Sequence, residues 1–403
     1  MLTSSFPRWP GDFPGSHVLH LAEHLADEQD AEVTVLAPGD PEAPPRERIG
    51  PVEVIRLQYF RPRRWQRLAY GDGVLWNLRR SPLAWLNMPG FAFALAAGLI
   101  RHARKADVIH AHWGPIGALA LVLRPAIGRP VAVTIHGSDL TTPLAPVRRL
   151  TRFAIRQADA TIAVSREFQQ FCQELRGESA PCFWIPHGVD DVAANQLRRH
   201  EPGTGTDRPV RVISVGRLIP SRRHDLLLRA FARARQKLAG LTLTIVGDGP
   251  QREPLARLAG QLGVGEATRL PGRVDRTEVP RWLGEADVYV SPTTVETFGF
   301  ATAEAALHGL PVITTRVGFP AELVVDGVTG YVVAPGDEGA IFEALIKLCE
   351  DPAGRRRMGR EMGQRAAALG LTWRKCAERT AEAYRICIAN ARARLPGRAG
   401  RPT

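Results

Sequence analysis

Short apolar runs alternate with longer amphipathic stretches along most of the chain. In the first half, the runs that read as buried strands are AEVTVLAP, VEVIRL, ADVIHAHW, PVAVTIHG, ATIAVS and CFWIPHG. Segments with helical spacing of apolar positions, such as HVLHLAEHLADE and RRLTRFAIRQA, separate these runs. Alternation of this kind predicts a parallel sheet covered by helices. We place this first α/β domain at residues 1–190.

A second series of strand-like runs follows a polar segment rich in Gly and Pro. The segment is DDVAANQLRRHEPGTGTDRP, which reads as a domain linker. The runs after it are RPVRVISVGR, LTLTIVGDG, ATRLPGR, ADVYVSP, PVITTR and GYVVAP. They predict a second α/β domain at residues 200–370. A single helix is predicted at about 373–395, and it is expected to pack back on the first domain.

Length and composition fit two globular domains. The chain has 403 residues, of which 44% are hydrophobic and 23% are charged, so it can bury a sizeable core. Its five cysteines form no CxxC pair and no metal-ligand spacing, which favours neither disulfides nor zinc. The opening residues do not have the pattern of a signal peptide. The run WLNMPGFAFALAAGLI is interrupted by Asn87 and Pro89 and is expected not to span a membrane. A cytoplasmic protein is predicted.

A net charge of +12 is concentrated in part of the first domain. Residues 61–85 interleave arginine with tryptophan, at Arg63, Arg64, Arg67, Arg79, Arg80, Trp65, Trp76 and Trp85. Such a segment suits the surface of an anionic membrane. It is also compatible with nucleic acid or with a simple solvated basic face. Since no base-reading motif is visible, the prediction is an anionic membrane surface as a partner and no nucleic acid.

The stretch SPTTVETFGFATAEAALHGLPVITT holds two glutamates around a strand-to-helix turn. A helix is predicted to begin near Phe300, so its free N–H groups and its positive dipole end face the loop with Glu296 and Gly299. Such places bind anions. Glu304 lies further along the helix, about 10 Å from Glu296 by helical rise. That separation is wide for the two carboxylates of a glycosidase. It suits acceptors for hydroxyl groups at both ends of a nucleotide sugar.

Basic residues follow the first strand of the second domain. Arg217 lies in VGRL directly after the strand, and Arg222 and Arg223 begin the next helical stretch. Arginines at the carboxyl end of the sheet, facing the Glu296 turn, could neutralise a diphosphate. The alternative is that they are surface arginines of a basic protein. VGDGP supplies another glycine turn at a strand end.

The first domain has its own candidates at strand ends. Gly15 lies in a turn before a helix, where backbone can approach a ligand closely. His136 ends the strand VAVTIH, and His110 and His112 lie on the preceding strand end, where open α/β sheets bind ligands. No carboxylate or cysteine accompanies these histidines at ligand spacing, so no metal site is predicted. Only three residues at the start remain for the strand that should precede the Gly15 loop.

Taken jointly, these residues resemble family 4 of the retaining nucleotide-sugar glycosyltransferases, which have the GT-B fold. The resemblance covers nearly the whole chain. The motifs that carry it are ETFGFATAE for the E-x7-E element, VGRL with a following basic residue, IVGDGP, IPHGVD and GFPAELVVDGVTGYVVAPGD. The resemblance implies an α/β fold of two Rossmann-like domains facing a cleft.

The resemblance also implies roles for residues of the second domain. Glu304 would hold the ribose hydroxyls of the donor. Glu296 and the backbone of Phe298, Gly299 and Phe300 would meet the sugar and the phosphates. The diphosphate leaving group would be stabilised by Arg217 and Arg222, without a metal or another cofactor.

In the first domain, the resemblance implies that His136 lies beside the donor sugar and that Gly15 approaches the phosphates. The anomeric configuration would be kept, with attack on the face that the leaving group departs from and with the leaving phosphate taking the proton of the acceptor. Two features depart from the family pattern. Arg222 and Arg223 stand where Lys-Gly is usual, and the first strand is short.

The function implied is a metal-independent hexosyltransferase. It would move a sugar from a GDP- or UDP-linked donor to a lipid-linked or polysaccharide acceptor in cell-envelope or exopolysaccharide synthesis. Its place would be the cytoplasm, peripherally on the inner face of the membrane. Two alternatives stay open: a nucleotide-sugar epimerase of the same fold, against which the E-x7-E spacing argues, and a catalytically silent protein that binds sugar nucleotides.

Overall fold

The structure is a computed structural model that describes residues 1–71, 73–177, 181–189 and 209–394. The predicted linker, apart from its last residue, and the tail PGRAGRPT lie outside the described residues. The chain divides into two compact units. The first comprises Met1–Gly188 and the C-terminal helix from Trp373, and the second comprises Val189–Thr372.

The first unit is built on strands that are parallel except at one edge. Its strands are β1 (Thr34–Pro38), β2 (Arg46–Ile49), β3 (Val52–Leu57), β4 (Ile109–His112), β5 (Val131–Ile135), β6 (Ala160–Ala163) and β7 (Cys182–Trp184). β2 pairs with β3 in antiparallel fashion. The apolar pattern does not predict β2, because this strand alternates between exposed and half-exposed residues at the edge of the sheet.

Leu2 joins the two parts of this sheet. It forms parallel bridges with Leu36 of β1 and Ala111 of β4 and is fully buried. Its N–H donates to the carbonyl of His110 at 2.8 Å, and its own carbonyl accepts from the N–H of His112 at 2.9 Å. The strand order is therefore β2-β3-β1-Leu2-β4-β5-β6-β7. The direction of the winding reverses between Leu2 and β4, which is where open α/β sheets bind ligands.

Helices cover both series of strands in the first unit. They are α1 (Ser16–Gln29), α2 (Val74–Arg80), α3 (Pro82–Ala103), α4 (Gly114–Val122), α5 (Arg124–Ile127), α6 (Ser138–Thr141), α7 (Ala145–Gln157), α8 (Arg166–Arg176) and the C-terminal helix. That last helix, Trp373–Arg394, packs on α1, where His20 stacks on Trp373 with 5.3 Å between ring centroids.

Helix α3 is one continuous helix of 22 residues. Asn87 and Pro89, which interrupt the apolar run in the sequence, do not interrupt the helix. Phe91, Leu95 and Leu99 bury one face of it against the core and offset the hydrogen bond that proline cannot donate. Of the described residues, only this helix is long and apolar enough to cross a membrane, and 28% of its apolar window is buried in the protein.

The second unit is a six-stranded parallel sheet in the order β10-β9-β8-β11-β12-β13. The strands are β8 (Arg211–Val215), β9 (Thr242–Val246), β10 (Thr268–Gly272), β11 (Val288–Ser291), β12 (Val312–Thr315) and β13 (Gly330–Val333). Each of them was predicted from the sequence. The signal is clearest for β11 and β12, which are buried along their whole length and read as continuous apolar stretches. From β8 the next strands in the chain, β9 and β10, are added toward one edge of the sheet, whereas β11, β12 and β13 are added toward the other. The strand order therefore reverses between β8 and β11.

The helices of the second unit lie between these strands in the chain. They are α9 (His224–Lys237), α10 (Arg252–Gln261), α11 (Val279–Gly284), α12 (Phe300–Leu307), α13 (Gly318–Leu323), α14 (Glu338–Glu350) and α15 (Pro352–Leu369). The C-terminal helix of the first unit is α16. The core of the second unit is built by β8, β9 and β11 together with the inner faces of α9 and α14, including Phe231, Ile245, Val290 and Leu345.

Candidate functional site

The loops after β8 and β11 of the second unit meet at the point where the winding of its sheet reverses. The carboxyl ends of two parallel neighbours lie at the same edge of a sheet, and helices leave from there in opposite directions. VGRL follows β8, and the glutamate-bearing loop follows β11. The candidate residues of the second unit are therefore collected at the usual ligand-binding edge.

The VGRL loop runs alongside the VGDG loop that follows β9. The N–H of Leu218 donates to the carbonyl of Asp248 at 2.9 Å. Gly247 has φ 144°, and a Cβ there would lie 1.9 Å from the carbonyl oxygen of Gly216. Only glycine fits such a close approach. Leu218 is buried, and Arg217 beside it is exposed at the end of the sheet.

A short 3-10 turn, Pro220–Arg222, is tied to the loop after β11. The carbonyl of Ser221 accepts from the N–H of Thr294 at 2.8 Å and from the hydroxyl of Thr293 at 3.1 Å. Arg222 ends this turn, and its Nη1 donates to Oε2 of Glu296. The other carboxylate oxygen of Glu296 accepts from the N–H of Thr297 at 3.0 Å. The structure thus brings together Arg222 and Glu296, which are 74 residues apart in the chain.

Helix α12 begins at Phe300, as predicted. Gly299 precedes it with φ 71°, and a Cβ at this position would lie 2.7 Å from Cγ of Pro320. Phe298 is buried and stacks on Phe319 with 4.8 Å between ring centroids. This packing orients the loop so that the first N–H groups of α12 come directly after Glu296 and Gly299. A helix start of this kind favours a negatively charged group.

Glu304 lies inside α12 and pairs with Arg276, with 3.5 Å between Nη2 and Oε1. Arg276 begins a 3-10 turn that is stabilised by a capping box of Asp275 and Glu278. Arg276 was not predicted from the sequence, because its distance along the chain from Glu304 carries no periodic signal. Burial raises the pKa of Tyr289 on β11, and the charges of Glu296 and Glu304 act on this pKa in the same direction.

Arg223 differs from Arg222 in both conformation and partner. Its backbone is left-handed, with φ 50° and ψ 38°, a conformation that glycine adopts at less cost. Its guanidinium donates to both carboxylate oxygens of Asp225 at 3.1 Å. Arg223 therefore serves the start of α9, and Arg222 is the arginine at the glutamate loop.

The loop that precedes α1 in the first unit is fixed by close backbone contacts. Gly15 has φ 77°, and a Cβ there would lie 2.3 Å from the carbonyl oxygen of Ser5. Arg8 pairs with Asp12 at 2.7 Å and with Asp40 at 3.4 Å, which ties the loop to the end of β1. Gly15 thus holds the start of α1 against the loop that follows Leu2.

Histidines form a cluster at the same edge of the first unit. The imidazole of His136, after β5, lies 4.7 Å from that of His17 and 5.4 Å from that of His187, measured between ring centroids. Nε2 of His136 is 3.3 Å from Nδ1 of His112. His110 completes the cluster and pairs with the hydroxyl groups of Tyr384 and Thr134, each at 2.6 Å. The histidine cluster is defined here as His17, His110, His112, His136 and His187.

Of these five histidines, the strand ends indicated His110, His112 and His136. His17 on α1 and His187 after β7 were missed, because a single histidine has no pattern of its own. Across the described ranges, no group of three or more His, Cys, Asp or Glu side chains is arranged to hold a metal ion.

Burial keeps the histidine cluster neutral. It lowers the pKa of His17 to about 4 and that of His110 to about 3, and it holds the pKa values of His112, His136 and His187 well below the usual range. Neighbouring imidazoles also disfavour a charge on His112, His136 and His187. In α6, burial raises the pKa of Asp139 to about 6, although the N–H groups of Gly114 and Gly137 donate to it at 2.9 Å.

We expect the free energy of unfolding to fall as the pH drops from about 6.5 toward 4. In this window, histidines of the unfolded chain take up protons that the folded cluster does not, so protons favour unfolding. Asp139 has the opposite effect on the free energy of unfolding. Between the pKa of its unfolded state and about 6, the folded state binds the proton more readily, so a drop in pH stabilises the fold through this group. The five histidines outweigh this one carboxyl group.

The variant His112→Asn tests this expectation by urea unfolding at a series of pH values. One neutral histidine fewer should reduce the slope of unfolding free energy against pH by about 1 kcal/mol per pH unit near pH 5.5. An unchanged slope would mean that His112 titrates in the folded protein as it does in the unfolded chain.

Two family descriptions match the chain one after the other. Residues 15–192 match Glycosyltransferase Family 4, and residues 198–365 match Glycosyl transferases group 1. The chain is 34% identical over 274 residues to the GDP-mannose-dependent alpha-(1-6)-phosphatidylinositol monomannoside mannosyltransferase of Mycolicibacterium smegmatis. This alignment covers 64% of this chain and 68% of that protein. It is 30% identical over 288 residues to a glycogen synthase of Mycobacterium tuberculosis, and this alignment covers 70% of this chain and 69% of that protein.

Solved structures with the same fold include a sucrose-phosphate synthase from Thermosynechococcus elongatus. It superposes with a TM-score of 0.75 at 23% identity and covers 93% of both chains. Anabaena HepE in complex with UDP-glucose superposes with a TM-score of 0.68 at 19% identity, covering 94% of this chain and 98% of that one. The two matched ranges follow each other along the chain as the two α/β units do. The chain belongs to glycosyltransferase family 4 and has the GT-B fold, with two Rossmann-like domains.

Proposed function

We propose that this glycosyltransferase transfers a hexose, with retention of anomeric configuration, from a nucleotide-diphosphate donor to a lipid-linked or polysaccharide acceptor. The observation that carries the proposal is the arrangement at the sheet edge of the second unit. There the Arg222–Glu296 pair lies at the start of α12, and Glu304 follows in the same helix. Positive charge, helix N–H groups and two carboxylates are the groups that a sugar diphosphate needs.

The donor diphosphate would be bound by Arg217 and Arg222 together with the first N–H groups of α12. Two guanidinium groups can neutralise a diphosphate through charge-assisted hydrogen bonds. They would stabilise the charge that develops on the leaving group, which is a role that a metal ion fills in other enzymes. Transfer is therefore proposed to need neither a metal nor another cofactor.

Binding of the diphosphate would change the partner of Arg222. This arginine donates to Glu296 in the structure, and the Glu296 side chain is 12% exposed. A diphosphate carries more negative charge than one carboxylate, so it competes effectively for the guanidinium. Glu296 is then available to accept hydrogen bonds from sugar hydroxyls. In this way the ion pair couples the arrival of the phosphates to the positioning of the sugar.

Glu304 is proposed to accept hydrogen bonds from the ribose hydroxyls of the nucleotide. Its side chain is 18% exposed and is oriented by Arg276. Arg276 lies beside the carboxylate, and a carboxylate can accept from two hydroxyl groups at once. Because every nucleoside diphosphate sugar has a ribose, this contact serves GDP- and UDP-linked donors alike.

The first unit is proposed to supply His136 for the sugar and Gly15 for the phosphates, following the family pattern. His136 is neutral at pH 7, since burial and its imidazole neighbours lower its pKa. A neutral imidazole can accept a hydrogen bond from a sugar hydroxyl. In the transfer step, the leaving phosphate oxygen would take the proton of the acceptor hydroxyl while the new glycosidic bond forms on the face from which the phosphate leaves.

The acceptor class rests on the relatives. The mycolicibacterial relative is a mannosyltransferase named for a phosphatidylinositol mannoside, and the other is a glycogen synthase. A lipid-linked sugar or a growing polysaccharide is therefore the acceptor we propose, used in synthesis of the cell envelope or of an exopolysaccharide. The enzyme would work in the cytoplasm, peripherally on the inner face of the membrane.

Thermal melting of the purified protein with GDP, UDP and their hexose derivatives tests the donor. A ligand that binds only the folded state stabilises it by about 2.7 kcal/mol at one hundred times its dissociation constant. The nucleotide that stabilises is then used, without added metal and in the presence of EDTA, to follow release of the diphosphate and transfer to acceptors, with the anomer assigned by NMR.

The outcomes separate the alternatives. Interconversion of donor sugars without transfer would indicate an epimerase. Binding without transfer and without slow donor hydrolysis would indicate a silent sugar-nucleotide-binding protein. Absence of stabilisation by every nucleotide would reject the donor site described above.

A further inference from the structure

The outward face of helix α3 is apolar along its whole length. Its exposed side chains recur every three or four residues, which places them on one stripe of the helix. Trp85 is 62% exposed, Leu86 is 66% exposed and Phe93 is 75% exposed. The full stripe, called the outer face of α3 below, consists of Pro82, Trp85, Leu86, Pro89, Ala92, Phe93, Ala97 and Ile100.

This outer face differs from that of an ordinary surface helix, which presents polar residues to water. The opposite face of α3 is fixed in the core by Ala84, Phe91, Leu95 and Leu99. The helix therefore cannot turn its apolar stripe inward. With 22 residues it is about 33 Å long, so the stripe is a straight apolar strip on the surface of the first unit.

Positive charge borders both ends of the strip. Arg79 and Arg80 end α2, immediately before α3, and both are exposed. Arg101, Arg104 and Lys105 lie at the other end, also exposed. The sequence has no aspartate or glutamate from residue 73 to residue 106. An apolar strip with cationic ends is complementary to an anionic lipid surface, where side chains enter the acyl boundary and arginines meet the headgroups.

The same charges argue against other occupants. Two copies of this chain that paired through the outer face of α3 would bring like charges together at both ends of the helix, whether parallel or antiparallel. A nucleic acid would meet arginines at the ends, but along the strip its phosphates would face Leu86 and Phe93. An anionic bilayer is complementary to both parts of this surface, since its acyl boundary takes up the apolar strip and its headgroups meet the basic residues at the ends.

Arg63, in the basic segment before α2, contributes less to such a surface than the sequence suggests. Arg63 donates to the carbonyls of Asp40 and Ala43, each at 2.7 Å, and to Gln58 at 3.1 Å. Its guanidinium is used to hold its own loop. Trp85, in contrast, donates its indole N–H to the carbonyl of Leu78 at 2.8 Å, which fixes the ring at the surface.

We propose that the outer face of α3 docks the first unit on an anionic membrane, with the helix lying in the plane of the interface. This inference rests on the proposed function, because an enzyme that uses a lipid-linked acceptor must reach the headgroup layer. The apolar side chains penetrate to the depth that interfacial helices reach, about 5–10 Å, and the flanking arginines stay among the headgroups.

The test uses the full chain and two kinds of vesicle, one of phosphatidylcholine alone and one of phosphatidylcholine and phosphatidylglycerol in equal parts. The double variant Leu86→Glu/Phe93→Glu is expected to lower the partition coefficient on the anionic vesicles about 100-fold, since each buried apolar side chain contributes about tenfold. Arg79→Gln/Arg80→Gln is expected to lower it about 30-fold on anionic vesicles, at about 1 kcal/mol for each arginine, and to leave the weaker binding to neutral vesicles unchanged.

A matched control places the same two charges elsewhere. Val325 and Val328 of the second unit are 36% and 48% exposed, and Val325→Glu/Val328→Glu should bind vesicles like the unchanged protein. Trp85 reports on contact directly, because its emission should shift to shorter wavelength with anionic vesicles and lose this shift in Trp85→Phe. Equal binding of all variants, or a dimer that Leu86→Glu/Phe93→Glu dissociates, would overturn the proposal.

Nucleotide binding separates this inference from the proposed function. The Leu86→Glu/Phe93→Glu variant should keep the melting-temperature shift with the donor nucleotide, since the outer face of α3 includes no residue assigned to the donor. If the unchanged protein shows the nucleotide shift but does not bind anionic vesicles, or binds them no better than Leu86→Glu/Phe93→Glu does, the docking surface is rejected and the transferase proposal stands. If the nucleotide shift fails while vesicle binding is retained, the proposed function is rejected.

Discussion

Replacement of Arg222 by glutamine is expected to lower kcat for sugar transfer by about 10²–10³-fold, the loss observed when one donor to a developing anion is removed. Arg222 is placed by the turn that Thr293 and Thr294 hold through Ser221. Glutamine keeps a hydrogen-bond donor but loses the charge, so the departing diphosphate is less well stabilised. Steady-state kinetics with the donor identified by thermal melting measures the effect.

Arg223→Gln is the matched control for this experiment. Arg223 is the neighbouring arginine, and it donates to Asp225 at the start of α9. Its replacement should change kcat by less than about threefold. Urea unfolding should show that Arg222→Gln costs about 1 kcal/mol or less, because its ion pair with Glu296 is partly exposed. Equal losses of kcat in the two variants would show that neither guanidinium meets the diphosphate specifically.

Glu304→Ala is expected to weaken binding of the donor nucleotide about 100-fold and so to remove most of its thermal stabilisation. A charged acceptor contributes about 1.5–3 kcal/mol to a hydrogen bond, and the ribose offers two hydroxyl groups. The effect should be the same for the nucleoside diphosphate alone, because Glu304 is assigned to the ribose. Isothermal titration and thermal melting with the diphosphate measure it.

The control for this variant is Glu266→Ala, at an exposed glutamate of the second unit. It should bind the nucleotide like the unchanged protein. A second comparison is 2′-deoxynucleoside diphosphate, which lacks one of the two hydroxyl groups. The unchanged protein should bind it less tightly than the ribonucleotide, whereas Glu304→Ala should bind both alike. Tight binding of the ribonucleotide by Glu304→Ala would assign the ribose to another residue.

Local pattern was sufficient for most of the fold. Short apolar runs located the parallel strands of both sheets, and the signal was strongest for the central strands, because a strand buried on two faces is apolar throughout. The start of α12 at Phe300 was predicted from the strand break and the glycine before it. The polar edge strand β2 and the continuation of α3 through Pro89 were not, since each depends on packing against residues distant in the sequence.

The sequence by itself determined the family, the two α/β series and the candidate residues on strand-end loops, because these depend on motifs and periodicity within short windows. Tertiary structure alone decided which charges meet. The Arg222–Glu296 and Arg276–Glu304 pairs, the five-histidine cluster and the outward apolar face of α3 all join or expose residues according to how elements pack. A short stretch of sequence shows the periodicity of one element, but it does not show which residues from distant elements come into contact when the chain folds.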